Sequence, residues 1–246
     1  MPLNLVLPQR NREELLDLNR GSMQEVRCSL RDIRRINTYL GGTRISTQAI
    51  FTMLQQHKLR EATMLDVGTG LADVPLHLVG QAKRRGITLR AIGLDINVRH
   101  LELAREEMQD APKVLLMRAN AFRLPLPDQS VDVVHSSLFL HHFREAQIVQ
   151  LLHEFSRVAR IGWVMNDLVR HGLPLWFFRT TWPIFARSYL TRLDGTASIR
   201  RAYTAEEMQR IVRPIAGARI QNQFPFRLSV TWRRSSCGAP IGAKVL

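Results

Sequence analysis

The chain has 246 residues, 45% of them hydrophobic, enough for one sizeable α/β domain plus decoration. No run approaches the roughly 20 apolar residues that span a bilayer, and the N-terminus, charged from Arg10 onward, lacks the apolar core of a signal peptide. Thirty-five basic residues against 21 acidic ones leave a net charge of +14, which favours a polyanionic partner, yet the clusters Arg31, Arg34 and Arg35, Lys83-Arg84-Arg85 and Arg233-Arg234 are spread along the chain and disfavour a dedicated nucleic-acid domain.

Residues 1–10 read as an irregular lead-in. From Asn11 to Leu40 apolar residues recur at helical spacing. Asn19-Arg20-Gly21-Ser22 splits that stretch into a short and a long helix, with Ser22 and Glu25 placed as a capping box. Gly41-Gly42 ends the long helix, and another is expected over 46–57. These pieces form an N-terminal helical arm or cap, residues 1–60.

From residue 63 strands and helices alternate. Strands are predicted at 63–67, 88–95, 113–118, 131–136 and 161–167, with helices at about 72–85, 97–110 and 145–159. Such alternation implies a mostly parallel sheet built from right-handed crossovers, with ligands at the carboxyl ends of its strands. The segment 174–190 is apolar and aromatic, with Leu175, Trp176, Phe177, Phe178, Trp182, Phe185 and Tyr189. Three fates stay open for it: a core helix, a lid over an apolar substrate, or a contact with a membrane surface. Thr204 and Glu207 mark a further capped helix start. Residues 218–223 and 227–233 read as closing strands, the second alternating as an antiparallel strand does. The domain is set at 61–235, with a lid insertion at about 170–203 and a flexible tail at 236–246. Cys28 and Cys237 have no metal-type spacing and read as free thiols of a reducing cytoplasm.

Met64 to Asp73 holds the sharpest chemical signal. An apolar strand ends in Asp66, a Gly-x-Gly turn follows at Gly68 and Gly70, and a helix opens behind it. Glycines there let the backbone turn and a ligand approach. A dinucleotide fingerprint would place a third glycine where Asp73 stands. That acid repels a pyrophosphate and suits a ligand carrying an ammonium group. Asp95 ends the second strand about 25 residues on, placed to accept both hydroxyls of a ribose. Asn120, Ala121 and Phe122 end the third strand, where they would surround an adenine ring.

Four stretches carry a resemblance: Leu65-Asp-Val-Gly-Thr-Gly-Leu-Ala-Asp73, Gly93-Leu-Asp-Ile-Asn97, Arg118-Ala-Asn-Ala-Phe-Arg-Leu-Pro125 and Val131-Asp-Val-Val-His-Ser-Ser-Leu-Phe-Leu-His-His142. In order and spacing they resemble class I S-adenosylmethionine-dependent methyltransferases, in the small-molecule branch that includes the ubiquinone and menaquinone enzymes. Leu30–Gly42, Val164–Arg170 and Asp194–Tyr203 extend the likeness to a bacterial subgroup that accompanies polyketide or phenolic-lipid biosynthesis. The resemblance implies a Rossmann-like, mostly parallel seven-stranded α/β sheet with helices on both faces. It implies S-adenosyl-L-methionine as donor, released as S-adenosyl-L-homocysteine, and no metal. Asp66, Gly68, Thr69, Gly70 and Asp73 would hold the methionine portion. Asp95 would take the ribose, and Ile96, Asn120, Ala121 and Phe122 the adenine. Ser136 and Ser137 would line the methyl-transfer side.

The acceptor side leaves more open. His141 and His142 follow the fourth strand and are either a base or acceptor contact, or parts of a structural turn. His135, inside the strand, reads as a satisfied buried histidine. Asn166, Asp167 and Arg170 either orient the acceptor or form a capped turn. Trp176 belongs to the aromatic segment. Arg200 and Arg201 either grip a carboxylate or stay solvated, and Tyr203 either hydrogen-bonds the acceptor or packs. The expected reaction is O-methylation of a phenolic or polyketide-type acceptor by a cytoplasmic monomer or homodimer. C-methylation of a quinone-like ring, methylation of nucleic acid, and a cofactor-binding subunit without catalysis are the alternatives.

Overall fold

The computed structural model describes residues 6–10, 14–18, 20–108 and 114–234. The expected tail, Cys237 and the start of the lead-in lie outside the described residues; Cys28 is a free, exposed thiol. A seven-stranded sheet runs in the order β3-β2-β1-β4-β5-β7-β6. Its strands are β1 (Glu61–Val67), β2 (Thr88–Asp95), β3 (Val114–Arg118), β4 (Val131–Ser137), β5 (Ala159–Leu168), β6 (Arg219–Gln223) and β7 (Arg227–Arg233). The first five pair in parallel, and β7 inserts antiparallel between β5 and β6. The strand order reverses at β1 and β4, so their carboxyl ends splay apart into the crevice where such sheets bind ligands.

Helices cover both faces because the parallel strands are apolar on both. Adjacent β1 residues Met64 and Leu65 are both fully buried, one in each of two cores. On one face lie α2 (Gly42–Gln56), α3 (Asp73–Arg84) and α4 (Val98–Met108), with Ile50, Leu54, Leu78 and Ala104 in contact with the sheet. On the other lie α5 (Glu145–Val158) and α8 (Ala205–Val212), bringing Leu151, Phe155, Met208 and Ile211. No described helix is long and apolar enough to cross a membrane.

Four boundaries depart from expectation, each for a local reason. The short helix expected before Ser22 is only a turn over its described residues 15–18. Gly41, at φ +78, does end α1 (Met23–Tyr39), but Gly42 already opens α2, so that helix starts four residues before Ser46. Helix α5 passes into β5 with no connecting loop, so the strand begins at Ala159 and not at 161. The aromatic segment is two helices, α6 (Gly172–Phe185) and α7 (Tyr189–Arg201), where one apolar stretch was read. Ser188 caps α7, accepting from the Leu190 N–H. That helix buries Leu190, Thr191, Asp194, Ala197 and Ile199 around much of its circumference, so it shows no helical stripe in the sequence.

Two buried carboxylates tie these helices to the N-terminal arm. Asp32 Oδ2 in α1 accepts from the backbone N–H groups of Arg187 and Ser188, both at 2.7 Å. Asp194 accepts from those of Leu15 at 2.9 Å and Leu16 at 3.1 Å. Both capping boxes read from the sequence form, Ser22 with Glu25 and Thr204 with Glu207.

Candidate active site

A cavity of about 590 Å³ opens at the carboxyl ends of β1 and β4 and runs beneath the arm to α6 and α7. That is within the size range of small-molecule and cofactor sites. One end is the glycine turn. Gly68 sits at φ +73 and Gly70 at φ +54, and the N–H groups of Gly68 and Thr69 both donate to the Leu94 carbonyl, at 2.8 and 3.0 Å. A Cβ on Gly68 would lie 2.6 Å from the Phe139 ring, so no side chain fits there. The turn therefore presents bare backbone to the cavity. Behind it, α3 starts at Asp73, and Ala72 before it supplies no side-chain cap, which leaves amide N–H groups and the positive end of the helix dipole at this end of the cavity.

Acids crowd this end. Asp66, nearly fully buried, has each oxygen engaged: Thr69 Oγ1 donates to one at 2.7 Å, and His135 Nδ1 lies 2.6 Å from the other. His135 is fully buried, with Nε2 2.8 Å from Ser46 Oγ of α2, so it is the satisfied core histidine expected. Burial, then the nearby charge of Asp66, pushes Asp73 up to about 6. Asp95 accepts from the Gly70 N–H at 3.1 Å and the Asn97 N–H at 2.9 Å, which fixes its carboxylate toward the cavity it lines. Ile96 beside it is 63% exposed, an apolar side chain held out on the cavity wall.

A second wall is charged. His141 Nδ1 is 2.6 Å from Asp167 Oδ1, and its Nε2 is 3.4 Å from Glu14 Oε1 of the arm. Burial alone would lower its pKa, but the Asp167 and Glu14 carboxylates outweigh that and hold it up to about 10. Glu14 is correspondingly lowered to about 2: burial works against this, and the two histidines prevail. His142 Nδ1 lies 2.7 Å from Asp17 Oδ2, and its ring stands 4.3 Å from that of His141. Glu14, His141 and His142 each offer one ligand-type atom within 4.8 Å of the others.

The far end is carbon. Leu168, Pro174, Phe177, Phe178, Phe185 and Phe226 line it, and Arg227 sits among them.

Of the expected site residues, Asp66, Gly68, Thr69, Gly70, Asp73, Asp95, Ile96, Ser137, His141 and His142 line this cavity. Others do not. Ser136 points to the opposite face from Ser137 and donates to the Val67 carbonyl at 2.8 Å. The Asn120 side chain accepts from the Phe122 N–H at 3.0 Å, Ala121 is in the core, and the Phe122 ring packs edge-on against Phe143. That loop closes on itself and does not wall the cavity.

The expected acceptor contacts from Asn166 onward all lie outside this lining. None of Asn166, Asp167, Arg170, Trp176, Arg200, Arg201 and Tyr203 lines the cavity. Asn166 donates to the Gly42 carbonyl at 2.8 Å, and Asp167 is occupied by His141. Arg170 pairs with Glu207, and the Arg200 carbonyl accepts from the Arg10 N–H at 3.3 Å. Arg201 donates to the His141 carbonyl at 3.2 Å and the His142 carbonyl at 2.7 Å. The Tyr203 hydroxyl donates to the Phe143 carbonyl at 2.8 Å, and Trp176, 63% exposed, is on the outer side of α6. These polar groups support the walls; their neighbours Leu168, Phe177, Phe178 and Ser198, together with Glu14, Asn37 and Arg227, form them. The aromatic composition of 174–190 marks Phe177 and Phe178, but nothing local to the sequence points to Arg227, whose place depends on the pairing of β7 with β5.

The family model described as "Methyltransferase domain" matches residues 65–164. A demethylmenaquinone methyltransferase of Lactiplantibacillus plantarum is 30% identical over 149 residues, 56% of this chain and 61% of that protein. The chain thus matches about three-fifths of the length of its curated relatives. Among solved structures, a SAM-dependent methyltransferase from Aquifex aeolicus aligns with a TM-score of 0.57 at 18% identity, over 87% of this chain and 99% of that one. Magnesium protoporphyrin IX methyltransferase from Synechocystis, with bound SAH, gives 0.54 at 14% identity, over 79% and 84%. At these identities the structures share the fold.

Proposed function

We propose that the chain, whose residues 65–164 match a methyltransferase-domain model and whose fold is shared with a SAM-dependent methyltransferase, moves the methyl group of S-adenosylmethionine to a small, largely apolar metabolite. The acceptor best supported is a phenolic or polyketide-type molecule, methylated on oxygen. The observation that carries this is the continuity of the cavity: one end is a backbone cradle ringed by acids, the other a chamber of phenylalanines.

S-adenosylmethionine supplies an electrophilic methyl on a sulfonium, so the protein's task is to hold both partners in line and manage the acceptor's proton. The bare turn at Gly68 and Gly70 admits the methionine portion. Asp66, acting through Thr69, and Asp73 face its ammonium, Asp95 takes the ribose hydroxyls, and Ile96 packs on the adenine. Two carboxylates close enough for one to raise the other's pKa fit a bound cation. Helices α6 and α7 act as the lid. His141 already carries its proton at neutral pH and serves as a fixed cation on the wall, which leaves His142 as the group to accept a phenol's proton.

The fit of Asp73 to an ammonium sets a pH dependence. Protonation removes the charge that pairs with the cofactor, so affinity falls as pH drops through about 6. At pH 5 such a group is about nine-tenths protonated, and S-adenosylhomocysteine is expected to bind up to about tenfold more weakly than at pH 8. Asp73→Asn binds at the weak level across that range, and loses the pH dependence. It also raises the thermal midpoint at pH 7, because the wild-type carboxyl is raised on folding and destabilises the chain above its unfolded pKa of 3.8. Calorimetry at two pH values and a melting curve check both outcomes.

Carbon methylation of a quinol-like ring is the second reading, favoured by the demethylmenaquinone methyltransferases among the relatives. Incubation with methyl-labelled cofactor and a panel of phenols and naphthoquinols tests both, since product NMR separates a methoxy from a ring methyl. Transfer to no member of the panel overturns the proposal.

A further inference from the structure

Arg227 opens β7, opposite Leu168 of β5, and only 2% of it is exposed. Neither terminal nitrogen of its guanidinium has a hydrogen-bond partner among the described residues. The group is wedged by the backbone: a Cβ on Gly42 would come within 3.1 Å of its central carbon. Burial lowers its pKa to about 10 against the opposing charge of Asp167, so it stays a cation at neutral pH. Asp167 does not satisfy it, since the oxygens of that carboxylate take His141 and the N–H groups of His141 and Leu168. A buried cation with free donors is costly, and native chains seldom retain one without a use.

The position explains the use. Arg227 lines the same cavity as Phe177, Phe178 and Phe226, next in sequence to Phe226 and across the sheet from Leu168. The planar fork of an arginine matches a carboxylate through two parallel hydrogen bonds. We propose that Arg227 binds a carboxylate on the methyl acceptor, so that the substrate class is an apolar, hydroxylated aromatic acid with its acid head anchored at β7. This rests on the methyl-transfer reading above and narrows its acceptor. A carboxylate also belongs to the methionine portion of the cofactor, so the two sources need separate arms in the test.

The probes are 2-hydroxy-6-pentylbenzoic acid, 3-pentylphenol and S-adenosylhomocysteine, titrated calorimetrically into the full chain. Wild type loaded with S-adenosylhomocysteine is expected to bind the acid at least about thirtyfold more tightly than the phenol, the scale of losing one partner of a buried charge pair. Arg227→Met binds acid and phenol alike, and Arg227→Lys recovers part of the preference. S-adenosylhomocysteine binds wild type and both variants equally. Arg227→Met also melts a few degrees higher when empty, because it removes an unpaired buried charge, and this shows that it folds. Equal binding of acid and phenol by wild type overturns the proposal, as does an undiminished acid preference in Arg227→Met. Weaker S-adenosylhomocysteine binding by Arg227→Met also overturns it, assigning the guanidinium to the cofactor. Failure of label transfer to every acceptor would overturn the methyl-transfer reading, while the calorimetric preference still reads Arg227 by itself.

Discussion

Asp66→Ala is expected to lower the stability of the chain by about 2–5 kcal/mol, the largest loss from any single side chain in the cradle. Asp66 is 3% exposed and lies one residue from the end of β1, where it joins three elements. One oxygen takes the Thr69 hydroxyl of the glycine turn at 2.7 Å, and the other sits 2.6 Å from His135 of β4. His135 passes the connection to Ser46 of α2 at 2.8 Å. Truncation leaves a hydroxyl and an imidazole nitrogen buried without partners, and each orphan costs about 1–3 kcal/mol. In a chain of this size the thermal midpoint should drop by about 5–15 °C. Asp66→Asn keeps the shape and one acceptor, so it should melt within a few degrees of wild type yet bind S-adenosylhomocysteine more weakly. Melting curves for the two variants separate the roles: if Asp66→Ala melts like wild type, the relay from turn to α2 is not what holds the cradle.

That relay shows what was legible in the sequence. Asp66, Gly68, Gly70, Asp73 and Asp95 follow one another within a single β-turn-α-β unit, so their spacing alone places them together. The sheet was legible for the same reason: strand and helix periods alternate, and the hydrogen bonds they imply are local or between neighbours. The acceptor end is assembled otherwise. Phe177 and Phe178 come from α6, Glu14 from the arm, and Arg227 from β7, and they meet only because β7 inserts beside β5 and the arm folds back. The polar residues singled out after β5 are real features of a different kind. Asn166, Asp167 and Arg170 are drawn inward because they bond Gly42, His141 and Glu207, which lie 124, 26 and 37 residues away in sequence. A single sequence marks such residues as unusual; it does not say whether they face ligand or protein.

Stability should be greatest on the acidic side of neutrality, and should fall as pH rises from about 6.5 to 10. His141 carries this effect. Its folded pKa of about 10 lies above its unfolded value of 6.5, so its contribution is complete below 6.5 and is lost as pH rises through 10. Glu14 works at the other end: lowered from 4.5 to about 2, it contributes above 4.5 and is lost only as pH falls through 2. Asp167, also lowered, adds to the acid side. Asp73 acts at lower pH: its destabilisation builds between 3.8 and about 6 and is constant above that. His77, whose pKa burial and the charges of Arg84 and Arg85 lower, has the opposite sign and acts near and below 6.5. Glu14 is lost below 4.5, Asp73 destabilises progressively up to about 6, and His141 is lost above 6.5, so stability is highest near pH 4.5 and declines on the alkaline side. Because His141 shares the same attractions with both carboxylates, the alkaline loss is about 2–3 kcal/mol and not the sum of the separate shifts. Such a loss lowers the thermal midpoint by about 5–10 °C between pH 6.5 and 10. His141→Gln should melt lower overall, since it leaves Asp167 and Glu14 buried without a cation, but its midpoint should change much less over that range. A wild-type midpoint that rises from pH 6.5 to 10, or a His141→Gln variant with the same slope, would mean that the histidine does not hold the proton. The consequence for catalysis is local, because Glu14 is the arm's buried tie to this wall. Losing the His141 charge loosens the arm over the cavity before the sheet beneath it unfolds, so binding of the aromatic acceptor should weaken at a lower pH than that at which the secondary structure melts.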